Sequence, residues 1–220
     1  MEYDWKTDEY IRLVENTNNP FLRDFIDKEL DYLCSIDNLS EKAIVDVGSG
    51  YGRVVPILAP KAKSFYAVEL DKNMLRELKK TVKDYKNCLV IECDAQELQS
   101  SLKLVEIEKP IVMSLQNSLG TPYGDPYKII DEVANFAKEK HGEVIISLFT
   151  QESLKDEGVS IYASLEGLVG KIDLEKTNFE KGDFITRTGY KSHWFSCGER
   201  EEIKNLIGGK TINEIMGNCL

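Results

Sequence analysis

The stretch Ile44-Val45-Asp46-Val47-Gly48-Ser49-Gly50-Tyr51-Gly52-Arg53 decides how this chain reads. An apolar run breaks into three alternate glycines, and apolar residues resume at Val54, Val55, Ile57 and Leu58. The pattern predicts a buried strand, a sharp turn and a helix. Glycine permits the turn and lets a ligand approach the backbone. The helix beyond the turn would aim its free N–H groups at that ligand. Asp46 stands just ahead of the first glycine, where a carboxylate would repel a pyrophosphate and attract an amine or a sulfonium.

Working outward, the chain alternates. Strands are expected at Ala43–Val47, Ser64–Leu70, Cys88–Glu92, Ile111–Leu115 and Glu143–Phe149, with helices at 53–59, 72–84, 95–105 and 126–140. Such alternation predicts an α/β fold, a mostly parallel sheet with helices on both faces. Upstream, Asn19-Pro20 reads as a helix N-cap and first helical residue. Phe21, Leu22, Phe25, Ile26, Leu30 and Leu33 then share one helical face. Tyr3, Trp5 and Tyr10 form an aromatic segment before it, either a peripheral packing strip or a lid. After residue 150 the pattern changes. Gln151–Leu168 is helical with an interruption at Gly158, and Lys171–Ser196 alternates as a β-hairpin turning at Glu180-Lys181-Gly182-Asp183. A helix at Glu199–Ile207, the pair Gly208-Gly209 and a strand at Thr211–Met216 close the sequence.

The spacing Asp46-x-Gly48-x-Gly50-x-Gly52 resembles the first motif of the class I S-adenosylmethionine-dependent methyltransferases. A dinucleotide-binding turn has Gly-x-Gly-x-x-Gly/Ala instead, and its third position here is Arg53, too large for close helix–strand packing. The resemblance covers residues 40–150 and implies a Rossmann-like fold with S-adenosylmethionine as cofactor. It implies cofactor contacts from Asp46, Gly48, Ser49, Gly50 and Gly52. Val68-Glu69-Leu70-Asp71 resembles the family's second motif, which assigns Glu69 to the ribose with Leu70 beside it and leaves Asp71 to cap the next helix. Asp94-Ala95 matches the family's adenine-contacting acid and small residue, and Asp94 also reads as an N-cap. After the fourth strand, Leu115-Gln116-Asn117-Ser118-Leu119-Gly120 is similar to a Leu-Gly-Asn-Ser stretch of some small-molecule N-methyltransferases. It lacks the Asn/Asp-Pro-Pro-aromatic signature of many methylases that act on nucleobase or glutamine nitrogens. Gln116 is accordingly expected at the cofactor, and Asn117 and Tyr123 at the acceptor. His193, in the aromatic run Tyr190–Ser196, is a third acceptor-side candidate; as a structural alternative, that run is core.

A length of 220 residues and a 42% hydrophobic fraction predict one globular domain. Its parts would be an N-terminal helical segment or lid at 1–40, a cofactor-binding core at 41–150 and a substrate side at 151–220. No run approaches the ~20 apolar residues of a membrane span. Met1-Glu2-Tyr3-Asp4-Trp5 lacks a signal-peptide pattern. Five scattered cysteines (Cys34, Cys88, Cys93, Cys197, Cys219) and two histidines argue for reduced thiols, a cytoplasmic location and no metal site. A net charge of −10 disfavours nucleic acid and either suits a small neutral or cationic acceptor or simply gives solubility, which alone explains the charge. The expected activity is methyl transfer to a nitrogen of a small molecule. The alternatives are a methyltransferase acting on protein or RNA, and a non-catalytic S-adenosylmethionine-binding subunit. A nicotinamide-dependent oxidoreductase would have to tolerate Asp46 and Arg53 beside its pyrophosphate.

Overall fold

The computed structural model describes residues 7–121 and 124–208. Tyr3, Trp5, Tyr123, Cys219 and the strand expected at 211–216 lie outside the described residues. Five parallel strands form one sheet in the order β3-β2-β1-β4-β5: β1 Ala43–Val47, β2 Ser64–Glu69, β3 Cys88–Glu92, β4 Ile111–Ser114 and β5 Glu143–Ile146. The register pairs Asp46 with Ala67 on one side and with Met113 on the other, so β1 runs down the middle of the sheet. The chain order reverses between β1 and β4. The crevice beyond the carboxyl ends at that point is where such sheets bind ligands.

All five residues of β1 are buried, as a strand covered on both faces requires. Ala43, Val45 and Val47 face a core formed with helices α5 (Leu98–Ser101) and α6 (Pro126–Glu139). Ile44 faces the opposite core, built from α2 (Pro20–Ser35), α3 (Val55–Leu58) and α4 (Lys72–Val82). Alternation along the strand therefore sends Asp46 to the α2–α4 side. The expected helix caps form. Asn19 Oδ1 accepts from the Phe21 and Leu22 amides, and Asp71 Oδ1 from Asn73 and Met74. β4 stops at Ser114 because Gln116 and Asn117 take positive φ angles of 51° and 55°. The helix expected at 95–105 is a 3-10 turn at Ala95–Glu97 followed by α5 alone.

A third core lies above the sheet. It joins α1 (Thr7–Glu15), the inner face of α2, Phe149 and the segment from Leu154 to Trp194. Gly158 does not interrupt the helical stretch, as the sequence suggested. It lies in a π-turn, Leu154–Gly158, that runs into α7 (Val159–Ser164). A Cβ there would sit 2.9 Å from the Trp194 ring, so the glycine makes room for the indole. α8 (Glu166–Val169) follows. The hairpin pairs β6 (Asp183–Ile185) with β7 (Lys191–His193), and its reversal lies at Thr186–Tyr190 rather than at 180–183. Glu180–Asp183 is a separate tight turn, closed by hydrogen bonds between Asn178 and Asp183. α9 (Cys197–Ile207) starts at a Ser196–Glu199 capping box. No helix among the described residues is long and apolar enough to cross a membrane.

Candidate cofactor and acceptor site

A cavity of about 400 Å³ opens at the β1/β4 switch point. Its floor is the glycine turn and the ends of β2, β3 and β4. Its roof is the third core. Asp46, Gly48, Ser49, Gly50, Glu69, Leu70, Asp94, Ala95, Gln116 and Asn117 all line it. Of the residues expected at the cofactor, Gly52 alone does not line it.

The three glycines serve different ends. The amides of Gly48 and Ser49 both donate to the Val68 carbonyl, tying the turn to β2. Gly50, at φ +56°, has nothing within 4 Å of where a Cβ would stand, so the turn leaves open space there. Gly52, at φ +86°, does not line the cavity. A Cβ there would lie 2.8 Å from Leu78 Cδ1 of α4, which makes it the glycine of close helix packing.

Asp46 is 3% exposed and accepts a 2.7 Å hydrogen bond from Ser49 Oγ. Burial pushes its carboxyl up to about 7, against the opposing pull of the Ser49 bond and of Arg53. Glu69 accepts from the amides of Gly50 (2.7 Å), Leu70 (2.8 Å) and Asp71 (2.8 Å). Burial raises it as well, and those three N–H groups hold the rise in check. Glu69 therefore clamps the first and second motifs together. Asp94 Oδ1 caps the 3-10 turn through the Gln96 amide at 2.9 Å.

Sequence reasoning missed a charged pair. Arg53 Nη2 donates to Glu29 Oε1. Glu29, on α2, also accepts from Ser147 Oγ and from the Gln116 amide. One signal for it was present: Glu29 falls on the same helical stripe as Phe25, Ile26 and Leu33, where only a partnered carboxylate is tolerated. Among the described residues, two buried polar atoms of the cavity's lining residues have no partner, Arg53 Nη1 and Tyr51 Oη. Both can donate hydrogen bonds, and an orphaned buried donor is costly unless a ligand meets it.

The roof brings Tyr10, Phe149, Ile161, Tyr162, Leu165, Tyr190 and Ser192 over this floor. Tyr10 packs edge-on against Tyr51 with ring centroids 6.4 Å apart. Tyr162 stacks on Phe184 at 3.8 Å and accepts from Trp194 Nε1 at 3.1 Å. Burial raises the phenols of Tyr10, Tyr162 and Tyr190, so they stay protonated at neutral pH.

The two acceptor-side candidates among the described residues both make structural contacts. His193 does not line the cavity. Its Nδ1 lies 2.9 Å from Asp183 and its Nε2 2.9 Å from Glu199, which fastens the hairpin to α9. Asn117 lines the cavity, and its amide makes two structural hydrogen bonds. Nδ2 donates to the His193 carbonyl at 3.1 Å, and Oδ1 accepts from the Phe149 amide at 3.0 Å. Tyr123 lies outside the described residues. Among the described residues, no three His, Cys, Asp or Glu side chains are grouped to hold a metal.

Comparison with known proteins agrees with this geometry. A family model described as a methyltransferase domain matches residues 44–139. Curated relatives include a ribosomal RNA small subunit methyltransferase A from Syntrophus aciditrophicus, 34% identical over 85 residues, 38% of this chain and 30% of that protein. Its namesake from Alkaliphilus oremlandii is 31% identical over 128 residues, 58% of this chain and 43% of its own. The matches thus span less than half of these relatives. Among solved structures, an S-adenosylmethionine-dependent methyltransferase from Clostridium acetobutylicum superposes with a TM-score of 0.57 at 15% identity, covering 92% of this chain and 86% of that one. The CcbJ methyltransferase from Streptomyces caelestis gives 0.55 at 16% identity over 83% of each chain. At such identities these two establish the fold.

Proposed function

We propose that this chain, whose residues 44–139 match the methyltransferase-domain model, is a class I S-adenosylmethionine-dependent methyltransferase that methylates a nitrogen of a small molecule. One observation carries the cofactor side. The cavity floor combines carboxylates at the ends of β1, β2 and β3 with two orphaned donors, Arg53 Nη1 and Tyr51 Oη. An adenosyl amino acid has the complementary groups: ribose hydroxyls, an adenine amine, a cationic end and a carboxylate. In this reading Glu69 takes the ribose, Asp94 the adenine, Asp46 the cationic end, and Arg53 with Tyr51 the carboxylate. The bound sulfonium supplies an electrophilic methyl group.

The chain's part is then to align an acceptor and exclude water. The third core lies over the cavity and would supply the second task. For the first, the roof offers aromatic faces to a neutral or cationic nitrogen compound and a hydroxyl, Ser192, to orient it. The lining of described residues contains no imidazole or lysine, and the roof phenols stay protonated. Such a wall suits an amine that arrives unprotonated and favours it over a hydroxyl that needs a base.

RNA is the second reading, favoured by the name of the curated relatives. The lining opposes it, with Asp46, Glu69, Asp71 and Asp94 against Arg53 among the described residues, and so does the net charge of −10. The deciding experiment incubates the protein with methyl-labelled S-adenosylmethionine and two panels, small amines and structured RNAs. Label in an amine supports the proposal. Label in RNA alone replaces it with the second reading.

A further inference from the structure

We propose that Glu29 is a positioning residue of the cofactor site, one that turns Arg53 so that its second nitrogen meets the ligand's carboxylate. The inference rests on the cofactor reading above and goes beyond it. The Glu29 side chain is 1% exposed, and that of Arg53 12%. Glu29 Oε1 takes Arg53 Nη2. Glu29 Oε2 takes the Gln116 amide at 2.9 Å and the Ser147 hydroxyl. Four pieces of the molecule meet at this carboxylate: α2, the glycine turn, the end of β4 and the end of β5. Its acceptor capacity is therefore met by protein donors.

Arg53 is different, because its Nη1 is buried with no partner among the described residues. A guanidinium is planar, so fixing one nitrogen fixes the direction of the other. The pair thus leaves one donor without an acceptor among the described residues, on a side chain that lines the cavity. A buried ion pair is weak evidence for stability, since apolar residues of similar shape often serve as well. A pair that leaves a spare, oriented donor buried beside a ligand pocket has a use that apolar residues cannot supply.

The test is calorimetric and uses two ligands. S-adenosylhomocysteine carries the amino-acid carboxylate, and methylthioadenosine shares the adenosine and sulfur but lacks it. Glu29→Gln is expected to weaken S-adenosylhomocysteine by about tenfold or more, the loss expected from one charge-assisted hydrogen bond. Methylthioadenosine binding should stay within about twofold. Should Glu29→Gln not fold, Glu29→Asp keeps the buried charge, withdraws it by one methylene, and should discriminate in the same direction. Equal weakening of both ligands, or of neither, would overturn the inference. So would a parent protein that binds both ligands equally well, which leaves the cofactor reading intact. A parent that binds neither ligand removes the reading and the inference together.

Discussion

The floor and the roof of the cavity are built by different rules. The floor is backbone and charge: a glycine turn, strand ends, and carboxylates held by amides. The roof is rings, with Tyr10, Phe149, Tyr162 and Tyr190 packed on Phe25, Phe184 and Trp194. A floor of that kind can be read from spacing, because each acid sits at a strand end and each glycine at a turn. A roof of rings has no such grammar, since an aromatic residue in a core and one over a ligand look alike in sequence. The contrast also divides the labour: the floor would fix a charged, invariant cosubstrate, and the roof would select among acceptors.

Asp46 tests the floor most strongly. Its folded-state carboxyl is pushed up from 3.8 to about 7 by burial. The unfolded chain then loses its proton near pH 4 while the folded one keeps it. Stability present below pH 4 should fall as pH rises towards 7, by up to about 4 kcal/mol at ~1.4 kcal/mol per unit. Urea unfolding across pH 4–8 should show that slope, and Asp46→Asn should flatten it. An unchanged slope in the variant would mean that Asp46 is ionised in the free protein.

Asn117 joins floor to roof. Asn117→Ala leaves the Phe149 amide and the His193 carbonyl without their partner, and should cost about 2–4 kcal/mol of stability. Activity should fall only as far as the folded fraction falls. A specific loss of turnover in fully folded protein would restore its direct role at the acceptor.

Glu69 belongs to the floor alone. Glu69→Ala should weaken S-adenosylhomocysteine by about tenfold or more, through lost bonds to a charged group. Its melting temperature should fall as well, because the amides of Gly50, Leu70 and Asp71 lose their acceptor. Parent-like binding with early melting would make Glu69 a clamp between motifs and nothing more.

The smallest effect is expected at the roof's outer edge. His193→Ala removes contacts to two partly exposed carboxylates and should cost about 1 kcal/mol or less. Turnover should stay within about twofold once an acceptor is known. A large kinetic loss would place the imidazole in the reaction despite its position outside the lining.

The same contrast explains what the sequence made legible. The five strands follow from apolar runs such as Ala43–Val47 and Ile111–Ser114, and the Asn19 and Asp71 caps from local chemistry. The hairpin reversal was misplaced because Lys181-Gly182-Asp183 and Thr188-Gly189-Tyr190 carry equal turn signals, and both segments do turn. Gly52 read as a ligand-facing glycine because spacing does not say which neighbour comes close; Leu78 does. His193 read as an acceptor group because a strand position does not say which carboxylates lie opposite. The Glu29–Arg53 pair was hidden by its separation along the chain, although an acid on an apolar stripe was visible.

The central claim is that the floor holds an adenosyl amino acid. Titration calorimetry of the parent protein with S-adenosylhomocysteine and, separately, with NAD tests it most directly. The account predicts saturable one-site binding of S-adenosylhomocysteine and no heat of binding from NAD. Binding of NAD with none of S-adenosylhomocysteine would contradict it.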